Sequence, residues 1–151
     1  PGCYTDAFVT TLGATVNLAE FVEAFYTTPL FRIERGVLRV ALAHGSTDAQ
    51  ARALGEGRHD SFAAWWVEAR RDDQLLLCDL SGRTRSWFMV EARPDGTALW
   101  FGSAVVPPDS TSKRTPRLGC ALRVMLGPHR LYSRALLQSA ARRLRRQFRH
   151  A

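Results

Sequence analysis

The chain has no acidic residue after Asp109, although its 151 residues include 14 Asp and Glu. Residues 111–151 contain one lysine and ten arginines, a charge of +11, which leaves −4 for the rest of the net +7. This asymmetry is typical of a protein that meets nucleic acid, a membrane surface or an acidic ligand. The alternative is a solvated basic helix face, since few aromatic residues are interleaved for base stacking.

Cysteine is scarce, and long apolar runs are absent. Cys3, Cys78 and Cys120 are an odd number at wide spacings, which fits neither a disulfide framework nor a zinc site and favours a reducing cytoplasm. No run approaches the roughly 18 apolar residues of a transmembrane segment. No stretch resembles a signal peptide, although a start at Pro1 leaves the removal of a leader open.

Motifs for the common kinds of catalysis are also missing. The four histidines show no HxH, HxxxH or HExxH spacing, so we expect no metal. There is no GxSxG nucleophile elbow, and the GEG at 55–57 is too short for a phosphate loop. The sequence therefore predicts neither a hydrolase nor a nucleotide enzyme, and no cofactor.

The first 54 residues predict one strand and then helices. Residues 3–12 alternate polar and apolar side chains and are rich in β-formers, which indicates a strand. Asn17 and Glu20 form a capping-box pattern before an amphipathic helix. A third helix is predicted over 48–54, capped by Ser46 or Thr47.

A second helix is predicted between these two, with Thr28 as its cap and Pro29 in its first turn. Its expected buried face consists of Leu30, Ile33, Val37, Val40 and Ala41.

From Ser61 onward the hydrophobic period changes to two. Four stretches read as strands, namely FAAWWVEARR, QLLLCDL, TRSWFMVEARP and TALWFGSAVVP. Short, turn-like connections between them predict an antiparallel meander. Residues 107–118 contain three prolines and predict a loop, and a short helix is then expected before a break at Gly127-Pro128.

The last predicted element is a helix over 128–149. Its apolar stripe consists of Leu137, Ala141, Leu144 and Phe148. The opposite side carries Arg142, Arg143, Arg145, Arg146 and Arg149, which could meet an anionic surface. Arg130, Ser133 and Arg134 lie close to the apolar stripe, where polar groups either line a pocket or emerge at the rim of the core.

This order predicts a single α+β domain over residues 1–151. A curved antiparallel sheet of about five strands would wrap around the long C-terminal helix, with two or three short helices between the first two strands. The first strand would pair with the last strand of the meander or with an edge. This is a helix-grip arrangement. The rest of the sheet would be covered by the short helices, by a second copy of the chain in a homodimer, or by water.

The chain also resembles a known bacterial family of uncharacterised proteins. The residues that carry the resemblance are YTDAF, TPLFRIER, GRTRSW, FGSAVVP and HRLYSRALL. We relate this family to the START-like, or SRPBCC, superfamily. The resemblance implies a helix-grip fold that holds an apolar or aromatic small molecule between the sheet and the last helix. Some members of that superfamily are cyclases, hydratases or dehydratases, and others only bind or carry ligands.

The candidate ligand-binding residues combine aromatic, acidic and basic side chains. They are Tyr4, Asp6, Arg85, Trp87, Trp100, Arg130, Ser133 and Arg134, together with the neighbouring His129. Two guanidiniums near the start of a helix suit an acidic group on an apolar ligand. Alternatively the tryptophans are ordinary sheet core, and Arg130 and Arg134 pair with Asp79 or Glu91 or extend to solvent.

Three functions stay open from the sequence. The first is binding of an apolar or aromatic small molecule with an acidic group. The second is a cofactor-independent cyclase, isomerase or dehydratase that uses the same pocket, with no catalytic residue assigned. The third is an interaction protein whose arginine-rich helix docks on an anionic surface.

Overall fold

The computed structural model describes residues 4–33, 46–106 and 118–149, and it describes the side chains of the last helix from residue 130. The elements in chain order are β1 (Tyr4–Leu12), α1 (Leu18–Tyr26), a helical segment α2 (29–33), α3 (Asp48–Gly55), β2 (Ser61–Phe62), β3 (Trp65–Arg70), β4 (Gln74–Asp79), β5 (Thr84–Arg93), β6 (Gly96–Val105) and α4 (Leu118–Arg149).

The six strands form one antiparallel sheet in the order β1-β6-β5-β4-β3-β2. Strand β1 pairs with β6 from Tyr4 opposite Val105 to Leu12 opposite Thr97, which confirms the predicted closure of the meander by the first strand. Helix α4 packs against β1 and β6, and α1 packs against β5 and α4. The architecture is the predicted α+β helix-grip arrangement.

An aromatic cluster fills the space between α1 and the middle of the sheet. Phe88 on β5 is fully buried, and its ring centroid lies 4.9 Å from that of Phe25 on α1. The ring of Phe25 also lies 4.6 Å from Phe101 on β6. Because protein interiors are packed about as densely as organic crystals, this part of the helix-facing side is solid core.

The helix starts follow the predicted capping patterns. The Asn17 side chain accepts a bond from the Glu20 N–H at 2.9 Å, and Glu20 accepts one from the Asn17 N–H at 2.8 Å. Thr47 caps α3 in the same way. Helix α3 approaches α1 so closely that a Cβ on Gly55 would lie 2.7 Å from the Ala19 carbonyl oxygen. Only glycine therefore fits where these two helices meet.

The second helix buries a different side chain from the one expected. Thr28 accepts a bond from the Phe31 N–H at 3.2 Å, which confirms it as the cap. Phe31 is 3% exposed, whereas Ile33, predicted to be buried, is 68% exposed. Aromatic contacts of Phe31 with Phe25 and Tyr26 explain its burial. The predicted residues Val37, Val40 and Ala41 lie outside the described residues.

The first stretch of the meander is two strands instead of one. Residues 63 and 64 form a turn between β2 and β3, and Ala63 has a φ of 51°. The left-handed backbone at Ala63 reverses the chain, so Phe62 pairs with Trp65. The sheet therefore has six strands, where about five were expected.

The predicted break at Gly127-Pro128 is wrong, because α4 runs without interruption from Leu118 to Arg149. A proline removes one hydrogen bond from a helix, but its own φ is compatible with the helical backbone. The expected short helix and the C-terminal helix are thus one element. Of the predicted 107–118 loop, residue 118 is helical and residues 107–117 lie outside the described residues.

Candidate functional site

Polar side chains gather on the helix-facing side of the sheet, where β1 begins and β6 ends. The Tyr4 hydroxyl donates a 2.8 Å bond to Asp6 Oδ2. Asp6 Oδ1 accepts from Ser103 Oγ at 2.6 Å and from the Ser103 N–H at 3.2 Å. The structure therefore brings the predicted pair Tyr4 and Asp6 together. Both carboxylate oxygens of Asp6 accept hydrogen bonds.

This polar row continues across the sheet. Ser103 lies directly opposite Asp6 on β1 and directly opposite Ser86 on β5. Strands are about 4.8 Å apart, so the three positions form a row about 10 Å long. At the same end of the sheet, the buried Trp65 indole nitrogen on β3 has no hydrogen-bond partner among the described residues. An unpartnered buried donor of this kind is uncommon.

The predicted polar residues of α4 lie over β1 at this end. Ser133 is buried, one helical turn before the buried Leu137. The guanidinium carbon of Arg134 lies 5.6 Å from the centre of the half-buried Phe8 ring, within the range of a cation–π contact. Arg130 is exposed. We use the name polar groove for the side chains at this end of the sheet and of α4, namely Tyr4, Asp6, Phe8, Ser86, Ser103, Ser133 and Arg134.

The electrostatics of the polar groove keep the Tyr4 phenol protonated. Burial raises the pKa of Tyr4 above its ordinary value of 10.0, and the hydrogen bond to Asp6 and the charge of Asp6 raise it further. The positive charge of Arg130 opposes this rise in pKa to a smaller extent. At neutral pH, Tyr4 is therefore a neutral hydrogen-bond donor.

Arg85, Trp87 and Trp100 lie on the opposite face of the sheet. Trp87 precedes the buried Phe88, and successive strand residues point to opposite faces. Arg85 and Trp100 share the face of Trp87 by the register of β5 and β6. The structure does not bring these three side chains to the polar groove, so they cannot line it.

These three side chains have partners of their own on the outer face. Arg85 forms a two-pronged ion pair with Glu68, at 3.0 and 3.2 Å. The Trp87 indole donates to Gln74 at 3.1 Å, and the Trp100 indole donates to Glu91 at 3.0 Å. Of the two adjacent tryptophans on β3, Trp65 faces the helices and Trp66 faces outward, as their spacing predicts.

The carboxylates proposed as alternative partners for Arg130 and Arg134 are engaged elsewhere. Asp79 accepts bonds from Ser81, from the Arg83 N–H and from the Thr84 N–H at the β4–β5 turn. Glu91 accepts from Trp100 and pairs with Arg93 at 2.8 Å on the outer face.

The sequence reasoning missed Ser86, Ser103 and the Trp65 indole. The positions of the two serines could have been deduced from the sequence. Ser86 is two residues before the core residue Phe88, and Ser103 is two residues after Phe101. Side chains two apart on a strand share a face. The side chain of the remaining candidate, His129, lies outside the described residues.

The described residues contain no cluster of His, Cys, Asp and Glu that could hold a metal ion.

Burial raises the pKa of the Cys78 thiol, against the opposing charge of Arg85. In the part of the chain that the structure describes, no helix is both long enough and apolar enough to cross a membrane.

No protein-family model matches the chain, and no curated protein matches it in sequence. In structure it is similar to Ara h 8.0201, with 7% identity, a TM-score of 0.38, and coverage of 93% of this chain and 96% of that one. It is also similar to an uncharacterised protein from Rhizobium leguminosarum, with 13% identity, a TM-score of 0.38 and 96% coverage of both chains. Both comparisons are of backbone structure alone and give no information about function.

Proposed function

We propose that the protein binds a small molecule that has an apolar or aromatic body and an acidic group, and that it does so in the polar groove. The observation that carries this proposal is the guanidinium of Arg134 above the half-buried ring of Phe8. Ligand sites are usually apolar concave surfaces with a few well-placed polar groups. The aromatic cluster fills the middle of the helix-facing side, which is why we propose the polar end as the ligand site.

Each part of such a ligand has a counterpart in the groove. The exposed part of the Phe8 ring offers an apolar surface. The positive charges of Arg134 and Arg130 favour a carboxylate or sulfonate, since a guanidinium binds such groups with two parallel bonds.

Binding is proposed ahead of a reaction because the Asp6 carboxylate, which belongs to the groove, already accepts three hydrogen bonds from neighbouring protein groups. Asp6 accepts one bond from Tyr4 and two from Ser103. A general base needs a lone pair directed at its substrate. The bonds from Ser103 tie Asp6 to the β1–β6 pair, and we assign no catalytic residue.

The test is a fluorescence titration with 8-anilinonaphthalene-1-sulfonate, an aromatic anion. We expect Arg134→Ala to weaken binding about tenfold, since a hydrogen bond to a charged group is worth about 1.5–3 kcal/mol. Arg134 is exposed, so the variant should keep its fold. The control is Arg71→Ala, which removes the same charge from an exposed position in the β3–β4 turn, at the other end of the sheet. Equal affinities of the two variants would rule out the polar groove as the site.

A further inference from the structure

The arginines near the end of α4 form two groups instead of one continuous face. Arg142, Arg143 and Arg146 line a cavity of about 430 Å³, together with Pro29, Ser139 and Gln147. Arg145 and Arg149 border a separate cavity of about 350 Å³ beside the end of β1. We call the first of these the arginine cavity. It lies between α4 and the start of α2, away from the polar groove.

The three guanidiniums of the arginine cavity have no protein partner within the described residues. None of them takes part in a hydrogen bond or an ion pair there, and the Nε atom of Arg143 is buried without a partner. By contrast, Arg145 on the same helix donates to the Thr11 carbonyl at 3.1 Å, and Arg52 on α3 pairs with Glu23 at 2.9 Å. A buried donor without a partner is costly unless something else supplies the acceptor.

The composition of the arginine cavity indicates an anion. The described residues that line it include no Asp or Glu, so three positive charges converge there without an acidic neighbour among them. The planar guanidinium presents its donors as a fork that matches the oxygens of a phosphate group. We propose that the arginine cavity binds a phosphate-bearing small molecule, with Arg142, Arg143 and Arg146 as its anion-binding residues and Ser139 as a further donor.

A small molecule suits this place better than a nucleic acid or a membrane. The arginine cavity is concave and falls in the size range of small-molecule sites, roughly 300–1,000 Å³. Its lining, as far as the described residues form it, contains no aromatic side chain, whereas single-stranded nucleic acid is held largely by stacking on aromatic rings. A flat basic face would use Arg145 and Arg149 as well, but these two arginines face the other cavity.

The experiment measures binding of inorganic pyrophosphate to the full chain by isothermal titration calorimetry. We expect saturable binding that Arg146→Gln weakens about tenfold, because a charge-assisted hydrogen bond is lost. Arg149→Gln is the matched control on the same helix and should change the affinity less than about twofold. Arg143→Gln should weaken binding as Arg146→Gln does. Arg146 is exposed, so the proposal stays testable if the half-buried Arg143 proves necessary for folding.

Three outcomes would overturn this proposal. The first is the absence of pyrophosphate binding by the folded protein, and the second is an equal loss of affinity in the Arg146→Gln and Arg149→Gln variants. The third is cosedimentation with phosphatidylglycerol vesicles that depends equally on Arg146 and Arg149 and that pyrophosphate does not displace, since this would define a lipid-binding surface. The fluorescent sulfonate distinguishes the two sites, because Arg146→Gln should leave its binding to the polar groove unchanged.

Discussion

Ser103 and Asp6 are joined across the β1–β6 pair by two hydrogen bonds to the same carboxylate oxygen, at 2.6 and 3.2 Å. Bonds to a charged acceptor are stronger than neutral ones. We expect Ser103→Ala to lower the free energy of unfolding by about 1–2 kcal/mol, because Ser103 is buried and the carboxylate loses a donor. Urea denaturation of Ser103→Ala, Asp6→Ala and the double variant measures the coupling. Strictly additive losses would show that the pair contributes nothing beyond its separate residues.

Asp79 should stabilise the protein in a pH-dependent way. Burial alone would raise the pKa of Asp79, but hydrogen bonds from Ser81, Thr84 and Arg83 outweigh burial and hold the pKa below its usual 3.8. A carboxyl with a lowered pKa contributes stability above its usual pKa, and this contribution is lost as the pH falls through the folded-state value. We expect Asp79→Ala to cost about 1–2 kcal/mol at pH 7 and clearly less at pH 2.5.

Urea denaturation at both pH values checks the prediction for Asp79. Asp79→Asn serves as the control, since an amide resembles the protonated acid and should show the weaker pH dependence. An undiminished difference between wild type and Asp79→Ala at pH 2.5 would contradict a role for the ionised carboxylate.

Phe88 is the centre of the aromatic cluster, with ring contacts to α1 and β6. We expect Phe88→Ala to lower the free energy of unfolding by about 3–5 kcal/mol, because it leaves a cavity in a closely packed core. Ile33→Ala is the control and should cost less than about 0.5 kcal/mol, because Ile33 is 68% exposed. Similar losses for both variants, measured by thermal and chemical unfolding, would be inconsistent with the burial pattern.

Arg85 should matter little for ligand binding. It pairs with Glu68 on the outer face of the sheet, away from the polar groove. We expect Arg85→Ala to leave the affinity for the fluorescent sulfonate within about twofold and to lower stability by less than about 1 kcal/mol, as is usual for partly exposed ion pairs. A tenfold loss of affinity would contradict this prediction. It would show that Arg85 contributes to binding and that the ligand binds on the outer face of the sheet.

The helix-grip fold was predictable because its signals are local. Capping residues such as Asn17 and Thr47 mark helix starts through hydrogen bonds within four residues, and alternation of side chains marks the strands. The predictions that failed concern features that no local sequence pattern determines. The turn at Ala63 depends on a backbone conformation that alanine rarely adopts, and α4 continues through Pro128 against the usual preference of proline.

The candidate site could be predicted in part. Tyr4 and Asp6 are two residues apart on one strand, so their common face followed from the sequence. The face of the sheet on which Trp87 lies could be deduced only from its position next to the core residue Phe88. The split of the arginines between two cavities depends on how α4 meets α2 and β1, which no spacing along a single helix can reveal.

The pairing of β1 with β6 also determines the order in which this sheet can form. Strands β2 to β6 connect through short turns, so each can pair soon after its neighbour has been synthesised. Strand β1 cannot pair until β6 has been synthesised, because Tyr4 pairs with Val105. Closing so long a loop costs entropy, and contacts between residues far apart in sequence slow folding. The polar groove, which needs Asp6 beside Ser103, should therefore be among the last parts of the molecule to be assembled.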